Sequence, residues 1–222
     1  MAEDRTSNQI CVYMTNAKLV EFNDKLNNAP RERYAHIHAN GEKNPDDTKT
    51  YSLIGIVLQD YSKGTGDNLV RVSANISPED MQFLYSRAFI GADSVNFLEE
   101  KIFGNPDSEG LSPMTKLWIG RSIKNKDGTE RRLPWFISLE NGRGKASKNK
   151  NGGTFCASGS YKCEKSVIAS LTDRDMFKLL CRVNSYIRVW ENTSGSLTVK
   201  QGRVARQEEL LRLESERQRK AG

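Results

Sequence analysis

Two twelve-residue stretches of this chain, SPEDMQFLYSRA from Ser77 and TDRDMFKLLCRV from Thr172, share one pattern 95 positions apart, with four identical residues and a hydroxyl residue at the head of each. Each opens on an alternation and closes on helical spacing. Ahead of the first, Val70, Val72, Ala74 and Ile76 fall on one strand face and Arg71, Ser73 and Asn75 on the other. Ser77 then stands as a helix N-cap, Pro78 at a first-turn position that tolerates proline, and Asp80 completes a Ser-x-x-acid start. Met81, Leu84, Tyr85, Ala88 and Phe89 follow as one apolar stripe. The second copy keeps the phase. Val167, Ala169 and Leu171 replace the strand residues, Thr172 the cap and Asp175 the acid, and Met176, Leu179, Leu180, Val183 and Ile187 make the stripe. A match that preserves strand phase, cap and stripe together predicts a duplicated strand-then-helix unit.

Strand candidates precede each helix. In the first half they are ICVYMTNAKLVEF, RYAHIHAN with an Asn40-Gly41 turn, TYSLIGIVLQDY and LVRVSANI; in the second, KLWIGRSI, RLPWFISLE, a stretch around TFCAS, and YKCEKSVIASL. Asp127-Gly128 between the first two of the latter is a hairpin signal. The turn-rich segment 104–115 reads as the joint. The expectation is an α+β fold of two antiparallel strands-then-helix repeats sharing one core. It has a first repeat over 8–103, a linker over 104–115, a second, basic repeat over 116–192, and a charged C-terminal helix or tail over 199–222. In that tail Val204, Leu210 and Leu211 are scattered, and Glu208 and Arg212 stand at i, i+4 spacing.

Charge is segregated along the chain. Residues 1–115 carry 11 Lys and Arg against 17 Asp and Glu, residues 116–165 carry 12 against 4, and residues 166–222 carry 11 against 7. The basic middle segment is the footprint of a polyanion binder, with a solvated basic face as the bland alternative. No segment has the length and apolarity of a membrane span, and the N-terminus MAEDRTSNQ lacks the pattern of a secretory signal, so a cytoplasmic protein is expected. Cys11, Cys156, Cys163 and Cys181 are read as reduced thiols. His36 and His38 alternate as two zinc ligands would, but without further ligands beside them they read as a polar strand face, and no metal or cofactor is expected. Nucleophile-elbow, phosphate-loop and zinc-protease motifs are absent, and no spacing supports a Ser-His or Cys-His pair, so a non-enzymatic protein is expected.

The candidate nucleic-acid contacts lie in the basic segment. In KLWIGRSIK, Leu117, Ile119 and Ile123 take one face and leave Lys116, Trp118 and Lys124 on the other, where a tryptophan can stack a base while lysines meet phosphates. In RRLPWFISLE, Leu133, Trp135, Ile137 and Leu139 form the apolar face, with Phe136 and Arg132 outside. The loop NGRGKASKNKNGG, carrying Arg143, Lys145, Lys148 and Lys150, reads as mobile and suited to tracking a backbone. Arg121, Arg131, Tyr161 and Lys162 complete the set. A Trp118 packed in the core and a loop merely solvated are the open alternatives.

Strands-then-helix written twice, with basic strands bearing aromatics, resembles the PC4/Whirly-like fold over residues 8–192. Arg143-Gly144-Lys145-Ala146-Ser147 is similar to the Lys-Gly-Lys-Ala-Ala of Whirly proteins, although it stands here in the second half and there in the first. The resemblance implies single-stranded DNA or RNA bound on sheet surfaces, with low sequence specificity, DNA ahead of RNA, and subunits packed through helices into a homo-oligomer. It carries over Arg143 and Lys145 as backbone contacts. Two rival classes remain: a protein-binding adaptor or inhibitor using the acidic first half or the C-terminal helix, and a nucleic-acid enzyme such as a nuclease subunit.

Overall fold

A computed structural model describes residues 8–30, 37–44 and 46–221. In chain order the first half gives β1 (Gln9–Met14), β2 (Lys18–Lys25), β3 (Asn40–Lys43), β4 (Lys49–Tyr51), β5 (Leu53–Asp60), β6 (Val70–Ile76) and α1 (Pro78–Phe89). The rest gives β7 (Ser94–Ile102), β8 (Ser112–Ser122), β9 (Trp135–Gly144), β10 (Ala146–Lys148), β11 (Thr154–Cys156), β12 (Lys162–Leu171) and α2 (Asp173–Ala221). Two four-stranded antiparallel sheets result, in the orders β1-β2-β5-β6 and β12-β9-β8-β7, with the hairpins β3-β4 and β10-β11 beside them. The fold is α+β, and each sheet is a meander whose last strand runs into a helix.

The duplicated caps form in both copies. Ser77 Oγ accepts the Asp80 N–H at 3.0 Å and Thr172 Oγ1 the Asp175 N–H at 3.1 Å, while each hydroxyl donates to its own acid at 2.7 Å. Such a cap contributes about 1 kcal/mol. Met81 and Leu84 of α1 and Met176, Leu179, Leu180, Val183 and Ile187 of α2 are buried, and both sheets feed the same cluster through Phe22, Ile56 and Val72 on one side and Leu117, Ile137 and Leu171 on the other. The two halves share one core. The stripe expected on α1 is shorter than its sequence suggested, because Phe89 at the helix end is 67% exposed.

Several expectations are corrected. Residues 94–102 form β7, a strand the sequence reading did not contain, and β7 pairs with β8 in the second sheet. Segment 104–115 is therefore the connection within that sheet and the start of β8, and the chain passes between halves at 90–93, immediately after α1. Asn40 and Gly41 do not form a turn: they begin β3, with Gly41 at a register shift and a φ of 86°. The loop after β9 is not loose, since β10 and β11 pair as a ribbon around a turn over 149–153. The expected strand around His36 falls partly outside the described residues. His38, by contrast, lies off any strand face, half-buried and stacked on Trp190 with ring centroids 4.8 Å apart. Segment 199–221 is not a separate helix but the end of α2, which runs unbroken for 49 residues, about 73 Å at the helical rise. Glycine at 195 would ordinarily weaken it, but a Cβ there would lie 3.0 Å from Ile37 Cδ1, so the close approach of the 37–40 segment favours glycine. In the tail Arg212 pairs with Glu216, at 3.8 Å, rather than with Glu208. No helix among the described residues is long and apolar enough to cross a membrane.

The sheets meet through an edge. The amide of Asn141 on β9 accepts the Ser73 N–H and donates to the Ser73 carbonyl, both at 2.8 Å, and Lys101 Nζ donates to the Asn75 carbonyl at 3.0 Å. Edge strand β6 of the first sheet is thereby fastened to the inner face of the second. The outer face of the second sheet is left to solvent around Trp118, while Ser112 and Met114 at its other end, in the same alternation phase, are buried beneath the segment that carries Cys156 and Ser160.

Candidate nucleic-acid interface

Strand alternation and the pairing register decide what that outer face presents. Leu117, Ile119, Trp135, Ile137 and Leu139 turn inward and are buried, so their neighbours turn out. Leu98 pairs with Trp118, Trp118 with Ser138 and Ser138 with Ile168, which sets four residues in a row across all four strands. Leu98, Trp118 and Ile168 in that row are 59%, 47% and 51% exposed. The next row holds Asn96, Gly120, Phe136 and Ser170; the row on the other side holds Glu100, Lys116, Glu140 and Ser166. Trp118 and Phe136 thus share the surface, and Trp135 belongs to the core.

The platform is built, not merely exposed. The Trp118 indole N–H donates to Asn96 Oδ1 at 2.8 Å, and its ring meets the Phe136 ring edge-on, with centroids 4.8 Å apart and planes at 88°. Phe136 lies across Gly120, where a Cβ would stand 2.4 Å from the ring. Any other residue at 120 would lift that ring. Lys116 Nζ is held 2.9 Å from Glu100 and 4.3 Å from the centre of the Tyr161 ring, so Lys116 and Tyr161 join the same face. Burial among Cys163 and Glu140 pushes the Tyr161 hydroxyl well above the usual phenol range, which keeps it neutral.

The remaining sequence candidates separate into three groups. Lys124, Arg131 and Arg132 are exposed on the hairpin that springs from the far end of β8 and β9, whose turn forms at Asp127-Gly128 as expected, with Gly128 at a φ of 84°. Arg131 Nε reaches Asn125 Oδ1 at 3.1 Å there, and Leu133, expected to face the core, is 41% exposed in that hairpin. Lys145, Lys148 and Lys150 are exposed on the β10-β11 ribbon at the opposite end, and Lys162 beside it pairs with Glu109 at 3.4 Å. Ten-residue strands put about 33 Å between these ends.

Arg121 and Arg143 form the third group and turn to the inner face, an odd number of residues from their outward neighbours. Arg121 donates to both oxygens of Asp173, at 2.8 and 3.0 Å, and to the Ala92 carbonyl at 2.6 Å; its side chain is only 10% exposed. Trp135 donates to the same Asp173, at 2.8 Å. The Arg121 guanidinium holds the Asp173 carboxyl below the usual carboxylate range. This cluster clamps the start of α2 to the second sheet, so Arg121 is a structural residue rather than a surface cation. Arg143 is tied between Asp107 at 2.7 Å and Glu164 at 3.0 Å.

Sequence reasoning missed Leu98 and Ile168, which extend the platform, and Phe155, 47% exposed on the ribbon. Only the pairing register places the first two beside Trp118. It also missed a hydrogen-bonded chain in which His38 meets Ser52 Oγ at 2.8 Å and Glu191 Oε1 at 3.2 Å. Ser52 is 4% exposed and its Oγ already accepts the Asn27 N–H, so the chain fastens the 37–40 segment to α2 rather than presenting a nucleophile. No protein-family model, no curated protein and no solved structure matches the chain.

Proposed function

We propose that this chain is a non-enzymatic single-stranded nucleic-acid-binding protein of low sequence specificity, with DNA ahead of RNA, and that its arrangement is of the PC4/Whirly kind. The observation that carries the reading is the outward Trp118–Phe136 pair, braced by Asn96 and Gly120 and set between two exposed basic ends. Exposed aromatic faces stack unpaired bases of any identity, and flanking cations track the phosphates. A duplex hides its base faces and gains only the second term. Lys116, Lys124, Arg131, Arg132, Lys145, Lys148, Lys150 and Lys162 are the phosphate contacts in this reading, while Trp118, Phe136 and Tyr161 supply the stacking planes. Assembly through the helices is part of the same reading, supported by the exposed Phe83 and Phe89 of α1, Ile90 just beyond its end, and Phe177 of α2.

Fluorescence anisotropy with a labelled strand, alone and annealed, across a salt series tests the function. Each phosphate neutralised on a single strand adds about 0.7 to the slope of log affinity against log salt, so about five contacts give a slope of roughly −3 to −4. Tighter binding of the single strand than of the duplex is expected. A flat salt response would end the reading and leave a protein-binding adaptor in its place.

A further inference from the structure

α2 carries a second charged surface that the distribution of charge along the sequence conceals. Its buried residues Met176, Leu180, Val183 and Ile187 define the face turned to the core. At 3.6 residues per turn, the opposite arc of about 120° holds Arg174, Lys178, Arg182, Arg188, Lys200, Arg203 and Arg206. All seven are exposed. Between Arg174 and Arg206 that arc contains no Asp or Glu: Asp173, Asp175 and Glu191 point elsewhere around the helix. Among the described residues only Arg206 of the seven is in an ion pair, with Glu209 at 2.7 Å. The cations thus lie along about 48 Å of the helix, a ridge in two groups, over 174–188 and 200–206, about 18 Å apart at the helical rise.

We infer that this ridge is a phosphate-only binding surface for a single strand of nucleic acid, continuing the path of a strand that leaves the second sheet. Two features select this occupant. The residues between the cations are mostly small or polar (Cys181, Ser185, Asn192, Ser196), with the exposed Val189 and the partly buried Val199 as separated apolar side chains, so the arc lacks the continuous apolar face that a membrane-surface helix needs. A duplex phosphate lane winds away from a straight line within a turn of about 34 Å, whereas an extended single strand can follow the whole ridge. Position supplies the continuity: the Asp173 clamp fixes the foot of the ridge at the ends of β8 and β9, where the hairpin bearing Lys124, Arg131 and Arg132 begins. With no aromatic ring in the arc, the ridge adds affinity and footprint without base preference.

The inference rests on the reading of the outer sheet face for the origin of the strand, and the test separates the two. The full chain is compared with the triple variants Arg174→Gln/Lys178→Gln/Arg182→Gln and Lys200→Gln/Arg203→Gln/Arg206→Gln, and with Trp118→Ala. Oligothymidylates of about 8 and about 40 nucleotides serve as probes, the shorter one within the site size of a single binding face. Each triple variant should lower the magnitude of the salt slope for the long strand by about 2, three phosphates at about 0.7 each, and leave the short strand nearly unchanged. Glutamine is a good helix former, so the variants should keep the parent's circular dichroism. Unchanged long-strand slopes in both variants would overturn the ridge while leaving the sheet face intact. If Trp118→Ala binds both probes like the parent but the ridge variants lose the long one, the sheet reading fails and the ridge stands. Loss of binding to phosphatidylserine vesicles without any change toward the long strand would overturn it in favour of a membrane contact.

Discussion

Replacing Trp118 by alanine separates base stacking from charge. The ring is 47% exposed, so its removal leaves no closed cavity. What the fold loses is one edge-on contact with Phe136, worth about 0.5–1.5 kcal/mol, and one exposed hydrogen bond to Asn96, worth about 0.5–1.5 kcal/mol. Some of each is recovered by solvent and by relaxation of Phe136, so the net cost should be about 1–2 kcal/mol. For a chain of this length that is a fall in Tm of about 2–8 °C. Trp135→Ala, which empties a site only 1% exposed, should instead cost about 3–5 kcal/mol. Binding should respond in the opposite order of specificity. Loss of one stacked base weakens single-strand binding by about 1–3 kcal/mol, about 5- to 150-fold, with the salt slope preserved because no cation has been removed. Differential scanning calorimetry and anisotropy titration against single strand and duplex read the two effects independently. A folded Trp118→Ala protein that binds single strands as tightly as the parent would refute stacking at this position, and a stability loss equal to that of Trp135→Ala would refute the geometry.

Gly120→Ala should weaken single-strand binding through Phe136, because a Cβ 2.4 Å from that ring forces it off the sheet; a binding isotherm identical to the parent's would show that the ring position is irrelevant. Met81→Asp and Met176→Asp should each unfold the protein or cost several kcal/mol, since both sites are at most 1% exposed and offer a carboxylate no partner, and urea melts of the two should fall together. Acidification should loosen the foot of α2: the Asp173 carboxyl titrates below its usual 3.8 in the folded chain. The stability it contributes is therefore present above that value and is lost as pH falls through the lower folded one. Asp173→Asn should flatten that part of the acid denaturation curve, and an unchanged curve would remove the clamp from the account.

The parts of the fold legible in the sequence are those written by local chemistry. Capping at Ser77 and Thr172, the inward phase of β6 and β12, the buried Trp135 and the Asp127-Gly128 turn each depend on neighbours a few residues away. β7 escaped because Glu99, Glu100 and Lys101 interrupt its alternation and no local signal says which sheet a strand will join. The continuity of α2 escaped because Gly195 is a helix breaker unless a distant residue, Ile37, occupies the space of its missing side chain. For the site, the outward placement of Trp118 and Phe136 was readable from alternation. The withdrawal of Arg121 and Arg143 was not, because Asp173, Asp107 and Glu164 come to them from other segments. A count of charges along the chain cannot see a partner across the fold, nor seven cations gathered on one side of a helix over the stretch 174–206, where the acids face elsewhere.

The Asn141 amide against Ser73 has a consequence for how the molecule behaves in a crowd. A primary amide offers one donor and one acceptor side by side, which is what a neighbouring strand offers at each rung of a ladder, so Asn141 impersonates the next strand without being one. The edge of β6 is thereby closed to foreign chains at its midpoint, where an invading strand would need its first two bonds. Within the two four-stranded sheets, growth by addition, the usual first step toward swapped dimers and fibrils, is left to the other outer strands, β1, β7 and β12. Removing one exposed-looking side chain, Asn141, would open the shared seam of the two sheets to intruders.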